Sequence, residues 1–444
     1  MRVRTFALFL LLSVSTYVAA QHEGHQQAPP PAPQQSKPEE EKKHAGHEMA
    51  GMQHEQHAQK MEHEHLGSGT MPKPKSAPEP MWMWKWGAWD MMAHGNLFLT
   101  YNQQGGPRGV GKFESMNWFM LMEQRKLGPG TLLFRQMLSA EPLTAPHGGF
   151  PQLFQTGETY RGMPLVDYQH PHDVFGELSV TYTVPLAGEQ LAWQFYGAPV
   201  GEPALGPVAF MHRVSAAELP AAPLGHHVQD STHITAGVIT TGLQFHKGMF
   251  RVEGSVFNGR EPDEFRHTID FAPMDSWSLR TSFHSMNWSA QYSYGYLTEP
   301  EALEHTDIER QTASVTYNRP MKAGNWATSL IWGRNHKTEE QTVQNSYLLE
   351  STLNFLRRNY AYTRLELVDK DELFPLAPPP HPNFRIGAYT FGGVRDLVQN
   401  EKVQIGLGAD FTVYSKPAAL DPLYGDQPAG FRVFLRFRPG VMKH

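Results

Sequence analysis

From residue 81 onward the chain alternates apolar and polar positions with a period of two. Along 403–414, Val403, Ile405, Leu407, Ala409, Phe411 and Val413 make one row, and Gln404, Gly406, Gly408, Asp410, Thr412 and Tyr414 make the other. Side chains of a strand point to opposite faces in turn, so this segment is a strand with one apolar face and one polar or small face. The same alternation sets Trp277, Leu279, Thr281 and Phe283 against Ser278, Arg280, Ser282 and His284. It also sets Trp288, Ala290, Tyr292, Tyr294 and Tyr296 against Ser289, Gln291, Ser293 and Gly295. About sixteen such segments recur, near 94–103, 113–125, 131–140, 174–184, 190–198, 231–245, 249–258, 277–285, 288–298, 308–319, 325–335, 343–355, 359–368, 384–396, 402–414 and 430–438.

The connections alternate as regularly as the strands. Short links fall at 126–130, 185–189, 246–248, 286–287, 320–324, 356–358 and 397–401. Between them lie long ones at 104–112, 141–173, 199–230, 259–276, 299–307, 336–342, 369–383 and 415–429. This predicts an all-β chain: an antiparallel transmembrane β-barrel of about 16 strands, with short periplasmic turns, long outer loops and both chain ends on the periplasmic side. A soluble sandwich or propeller also uses many short strands. It gives no reason for alternating loop lengths, nor for Trp277, Trp288, Trp326, Tyr360 and Tyr414 at strand ends, where interfacial girdles sit.

The first twenty residues read differently. Met1-Arg-Val-Arg4, an apolar run from Phe6 to Val14 and small residues at Val18, Ala19 and Ala20 predict a secretory signal peptide over 1–20. Its apolar core is too short to span about 30 Å of hydrocarbon as an anchor. Residues 21–80 are rich in Gln, Pro, Glu, Lys and His and almost devoid of aliphatic side chains. Too little apolar surface is available to offset the entropy of ordering, so this region is expected to be a disordered periplasmic tail ahead of a barrel at 81–444.

Composition narrows the chemistry. The 444 residues include no cysteine, so any metal site must use His, Met, Asp or Glu. A net charge of -6 offers no basic face for phosphates, and nucleic acid is not an expected partner. Eight of the 23 histidines fall in the tail, as the pairs His22/His25, His44/His47, His54/His57 and His63/His65, with Met49 and Met52 interleaved and Met61 and Met71 nearby. Imidazole suits copper and zinc, and thioether sulfur favours Cu(I), so the tail is expected to bind copper before zinc, with no organic cofactor. The competing reading is a solvated spacer, although spacers are seldom so rich in histidine.

The array from 94 to 438 resembles bacterial outer-membrane barrels of the porin type. Its last strand, with Gly430, Val433, Leu435 and Phe437, looks like the signal read by the barrel-insertion machinery, although Arg438 to His444 extend past the aromatic. The resemblance implies outer-membrane lipid, the insertion machinery and small solutes as partners. A His/Met-rich tail ahead of a barrel further resembles the copper-resistance B-type outer-membrane proteins, which implies metal homeostasis or efflux.

Within the barrel the densest chemistry lies in two long loops. His170, His172 and Asp173 end the first; His226, His227 and Asp230 end the second, with His233 just beyond. Their ends flank adjacent strands, so convergence on a copper or zinc site is geometrically possible; loop stapling by hydrogen bonds is the expected role, with the metal site and substrate contact in a constriction as alternatives. Charged residues such as Glu177, Arg251, Glu253, Arg280, Glu350, Arg364, Glu366, Arg385, Asp410, Arg432 and Arg436 fall on the polar face and are expected in the lumen, paired or wetted. The Ser/His neighbours His284-Ser285 and Ser231/His233 have no evident third partner, and no catalytic motif stands out. The chain is therefore not expected to be an enzyme, with a hydrolase as the remote alternative and a porin for small organic solutes with an inert tail as the nearer one.

Overall fold

Residues 67–230, 235–375, 377 and 381–440 are described by the computed structural model. The strands are β1 (Trp82–Trp86), β2 (Trp89–Gln104), β3 (Gly111–Glu114), β4 (Asn117–Leu127), β5 (Gly130–Leu138), β6 (Phe150–Tyr160), β7 (Met163–Gln169), β8 (Phe175–Ala187), β9 (Leu191–Gly201) and β10 (Thr235–Phe245). They continue as β11 (Phe250–Phe257), β12 (Ser276–His284), β13 (Trp288–Leu297), β14 (Ile308–Met321), β15 (Gly324–Lys337), β16 (Thr342–Phe355), β17 (Asn359–Lys370), β18 (Phe384–Gln399), β19 (Val403–Ser415) and β20 (Ala429–Pro439). Neighbours in the wall are antiparallel, and β20 pairs with both β19 and β2, so the sheet closes into a barrel of 16 staves. β3 and β4 share one stave along β2, and β1 folds back on the start of β2.

Every segment expected from the period-two pattern is a strand of this wall. The pattern also assigns the faces. In β19, Leu407, Phe411 and Val413 are exposed outward while Gly408, Asp410 and Thr412 are buried inward. Val252, Leu279, Leu330 and Leu353 line the outside likewise, which gives the wall the apolar exterior of an outer-membrane barrel. The sequence pattern did not announce β1, or the β6–β7 hairpin inside the 141–173 loop.

A barrel of this width can hold a water-filled channel. Here the long connection after β9 turns inward and fills the lumen: nearly every residue from 201 to 230 is buried. Polar side chains of the wall hold it there. Arg213 of this plug bonds Glu350 of β16 at 3.0 Å, and Glu350 also takes Arg364 of β17 at 2.8 Å. Thr352 Oγ1 donates to the Ser215 carbonyl at 2.7 Å, Arg364 to the Ala221 carbonyl at 2.7 Å, and Arg280 to the Gly206 carbonyl at 3.2 Å. Where Gln152 and Ala222 meet Arg364 and Glu366, a void of only ≈ 10 Å³ is left, barely room for one water. An open cavity of ≈ 1080 Å³ remains at the short-turn end, beside Ser76, Glu218, Arg358 and Arg438.

The boundary expected at residue 80 needs correction. Residues 1–66, with the signal peptide and the histidine pairs of the tail, lie outside the described residues, but 67–80 belong to the barrel. This segment starts from the short-turn end, where Ser76 N donates to the Met286 carbonyl at 2.8 Å, and runs up the lumen. Ser289 Oγ donates to the Pro72 carbonyl at 2.7 Å, Arg280 to Thr70 Oγ1 at 2.6 Å, and Arg135 to the Gly67 carbonyl at 2.7 Å. Hydrogen bonds from lumen residues order this stretch, which its polar composition could not foretell.

Glu350→Ala leaves Arg364 buried without its carboxylate and Arg213 with Asp230 alone, a loss of about 3–5 kcal/mol. The expected result is faster hydrogen exchange across 201–230 and a higher single-channel conductance in planar bilayers. Wild-type exchange and conductance in the variant would contradict the anchoring role.

Candidate metal centre

The β6–β7 hairpin lies inside the barrel and delivers His170 at the end of β7. A short helix of the plug, His226–Gln229, delivers His226 and His227 beside β14, β15 and β16. One nitrogen from each of His170, His226 and His227 lies within 4.8 Å of the other two, and all three residues are buried. Bonds of 2.0–2.1 Å to a tetrahedral ion bring such nitrogens to about 3.3 Å, so the site would close by at most about 1.5 Å on binding.

Neighbours fix which nitrogen faces the group. His226 Nδ1 donates to the Pro223 carbonyl at 2.8 Å, which puts the lone pair on Nε2, where the Gln169 side-chain nitrogen lies 3.4 Å away. His227 Nδ1 pairs with Glu261 at 2.6 Å, and His170 Nδ1 with Glu158 at 3.2 Å. A carboxylate behind an imidazole is the arrangement that orients ligating histidines and raises their basicity. Gly157, at φ +115°, lets the β6 backbone pass against His227; a Cβ there would lie 2.5 Å from its Nε2. His227 also belongs to a second group with Glu261 and Glu301, likewise within 4.8 Å.

The electrostatics suit a cation. Burial pushes Glu158 well above the ordinary carboxylate range, with Arg266 opposing, and burial together with Glu261 and Glu372 does the same to Glu301. Burial would raise Glu261 as well, but His227, Arg310 and a hydrogen bond with Glu301 together outweigh it and hold that carboxyl low. A divalent ion here would have nitrogen donors on one side and carboxylates on the other, a set that fits zinc or cupric copper.

Of the loop residues singled out in the sequence, the fold joins His170, His226 and His227. His172 sits at the margin: its Nδ1 bonds Glu141 at 2.8 Å and its ring lies 5.9 Å from that of His170. Asp173 faces Arg266 at 3.3 Å and Asp230 faces Arg213 at 3.2 Å, so both carboxylates serve as arginine partners. His233 lies outside the described residues, as do His22, His25, His44, His47, Met49, Met52, His54, His57, His63 and His65 of the tail. Sequence reasoning missed Glu158, Glu261 and Glu301, which come from three separate loops. His284 donates to the Gly248 carbonyl at 3.0 Å, an anchor for the neighbouring turn.

No protein-family model and no curated protein matches the chain. Among solved structures it is similar to an anion-selective porin from Comamonas acidovorans, at 10% identity over 79% of this chain and 99% of that one, with a TM-score of 0.48. It is also similar to Salmonella typhi OmpF in complex with daunomycin, at 8% identity over 80% and 100%, with a TM-score of 0.49. Acinetobacter baumannii OccAB3 follows at 8% identity over 78% and 98%, with a TM-score of 0.39. These scores are low, and the porin-like barrel assignment stands on the strand pairing itself.

Burial raises three plug-side carboxyls: Glu202 to about 8, and Asp173 and Asp230 to about 6. Arg135 opposes the rise at Glu202 while Glu177 and Asp230 add to it; Arg266 and Arg213 oppose it at the two aspartates. In the unfolded chain all three titrate near 4, so between that value and about 8 the folded state holds more protons and stability falls as pH rises. The contribution is complete below about pH 4 and is lost through about 6 for the aspartates and about 8 for Glu202. Hydrogen exchange of 201–230, corrected for intrinsic rates, is expected to be slower at pH 5 than at pH 8.5, with the difference reduced in Glu202→Gln.

Proposed function

We propose that this protein is an outer-membrane barrel that handles metal ions, copper first and zinc second, and that its His/Met-rich tail captures them in the periplasm. The observation that carries this reading is the group of His170, His226 and His227, buried in a lumen that the chain itself fills. A pore for organic solutes needs a wetted eyelet; imidazoles braced by Glu158 and Glu261 serve an ion instead. The alternative, a porin for small organic solutes, has the porin-like barrel and the ≈ 1080 Å³ cavity at the short-turn end in its favour. Transport direction follows from neither.

His227→Ala removes a donor that both groups share, and Glu261→Gln removes the brace behind it, a change worth roughly 10–100-fold in metal affinity. Calorimetric titration of the detergent-solubilised protein with Zn(II) and Cu(II) should show that drop. Vesicles carrying the wild-type barrel should pass the ions faster than arabinose, and His227→Ala should slow the ions alone. Arabinose flux at porin rates, with ion flux indifferent to His227, would establish the organic-solute reading instead.

A further inference from the structure

A second group of donors, softer in character, crosses three neighbouring staves on the lumen side. His94 of β2 stands opposite Met120 of β4, and Met120 stands opposite Met137 of β5. All three side chains point inward and are buried. His94 Nε2 lies 3.2 Å from Met120 Sδ. The plug supplies the fourth member: His212, in the turn Phe210–His212, places its Nε2 3.2 Å from Met137 Sδ. The two imidazole centroids are 5.8 Å apart. Trp118 closes one side, 4.3 Å from the His212 ring and 5.2 Å from that of His94, and Met122, Met92 and Met211 pack around the group.

Methionine is a common filler of irregular cores, and its sulfur then favours the edges of aromatic rings. The arrangement here differs, because each sulfur abuts the Nε2 of a different imidazole. Bonds of about 2.0 Å to nitrogen and about 2.3 Å to sulfur in a tetrahedral site separate the two donors by about 3.5 Å. The observed 3.2 Å is close to that spacing without rearrangement of the wall. Glu79 lies 3.7 Å from His94 Nδ1, the side away from Met120, where a carboxylate orients a ligating imidazole. His212 Nδ1 is buried with no hydrogen-bond partner among the described residues.

We propose that His94, His212, Met120 and Met137 form a site for a soft monovalent cation of the Cu(I) type. Two thioethers and two imidazoles provide soft and borderline donors and no anionic oxygen, which selects Cu(I) or Ag(I) over Zn(II). The site deepens the metal-handling reading, on which its role in transfer rests, by naming the ion class and the oxidation state that the lumen accepts.

The test uses the full-length protein in detergent, with Ag(I) as an air-stable probe. The tail contributes equally to both proteins when wild type is compared with Met120→Leu/Met137→Leu, a change that nearly conserves volume. The double variant should bind one fewer tight Ag(I) per chain. It should also lose the Ag(I)-induced quenching of Trp118 emission, assigned by its absence in Trp118→Phe. If the double variant fails to fold, His212→Gln in the plug gives the same readout without touching the wall. Equal Ag(I) stoichiometry and equal quenching in wild type and the folded variant would overturn the site. Zn(II) titration of His227→Ala runs alongside. Loss of Ag(I) binding in the methionine variant with no Zn(II) effect of His227 keeps this site and removes the metal centre above, and the reverse pattern does the opposite.

Discussion

A closed barrel has to find partners for every polar group it turns inward, and the plug of this protein answers that constraint. The period-two pattern puts Arg251, Glu253, Arg280, Glu350, Arg364 and Asp410 on the inner face, where each is nearly fully buried. Ions taken out of water are costly unless they are paired and hydrogen-bonded. In an open pore, water does that work. Here it falls to the backbone and side chains of 201–230 and 67–80: Glu350 holds Arg213 as well as Arg364, and Arg280 meets both Glu253 and the Gly206 carbonyl. The loop gains by the same bonds, since its own carbonyls would otherwise be buried unmet. Plug and wall are thus one polar network, and the closed lumen follows from it.

The same inward fold builds the donor groups. The turn Phe210–His212 stands between them: the Phe210 ring is 6.0 Å from that of His172 and 6.3 Å from that of His226, and two residues on His212 meets His94 and Met137. A shift of that turn alters the margin of one group and the composition of the other at once. The two groups differ in the way the hard–soft preference of ligands predicts, nitrogen and carboxylate on one side, nitrogen and thioether on the other.

How much of this the sequence carried depends on the range of the interactions. Strands such as 403–414 were legible because alternation is local and the bilayer imposes it residue by residue. The alternating loop lengths gave closure and connectivity. His226 and His227 were legible as neighbours, and His170 as part of a dense loop. What brings the three together is the inward path of two loops rich in proline and glycine, which have no period to read. The row of His94, Met120 and Met137 was hidden for another reason: it exists only in the cross-strand register, which the turns set and no single strand reveals. The visible clue was three inward positions, Met120, Met122 and Met137, carrying thioethers where other staves carry Ser, Thr or Gln. The 67–80 segment misled because its composition matches a spacer, while its order comes from Arg135, Arg280 and Ser289 across the lumen.

That segment bears on the proposed role of the tail. A tail tethered at the barrel rim gathers ions near an entrance and leaves the rest to diffusion. Here the chain at Gly67 already packs against Val208 and His212, at the edge of the soft donor row, and runs down past Glu79 beside His94 to the short-turn end. The paired histidines upstream are therefore joined covalently to chain already inside the lumen. Passage through any such protein requires binding favourable enough to admit an ion and weak enough to release it. A plug that shares its turn between two unlike donor groups can tune that balance, because a shift of the one turn alters both groups at once.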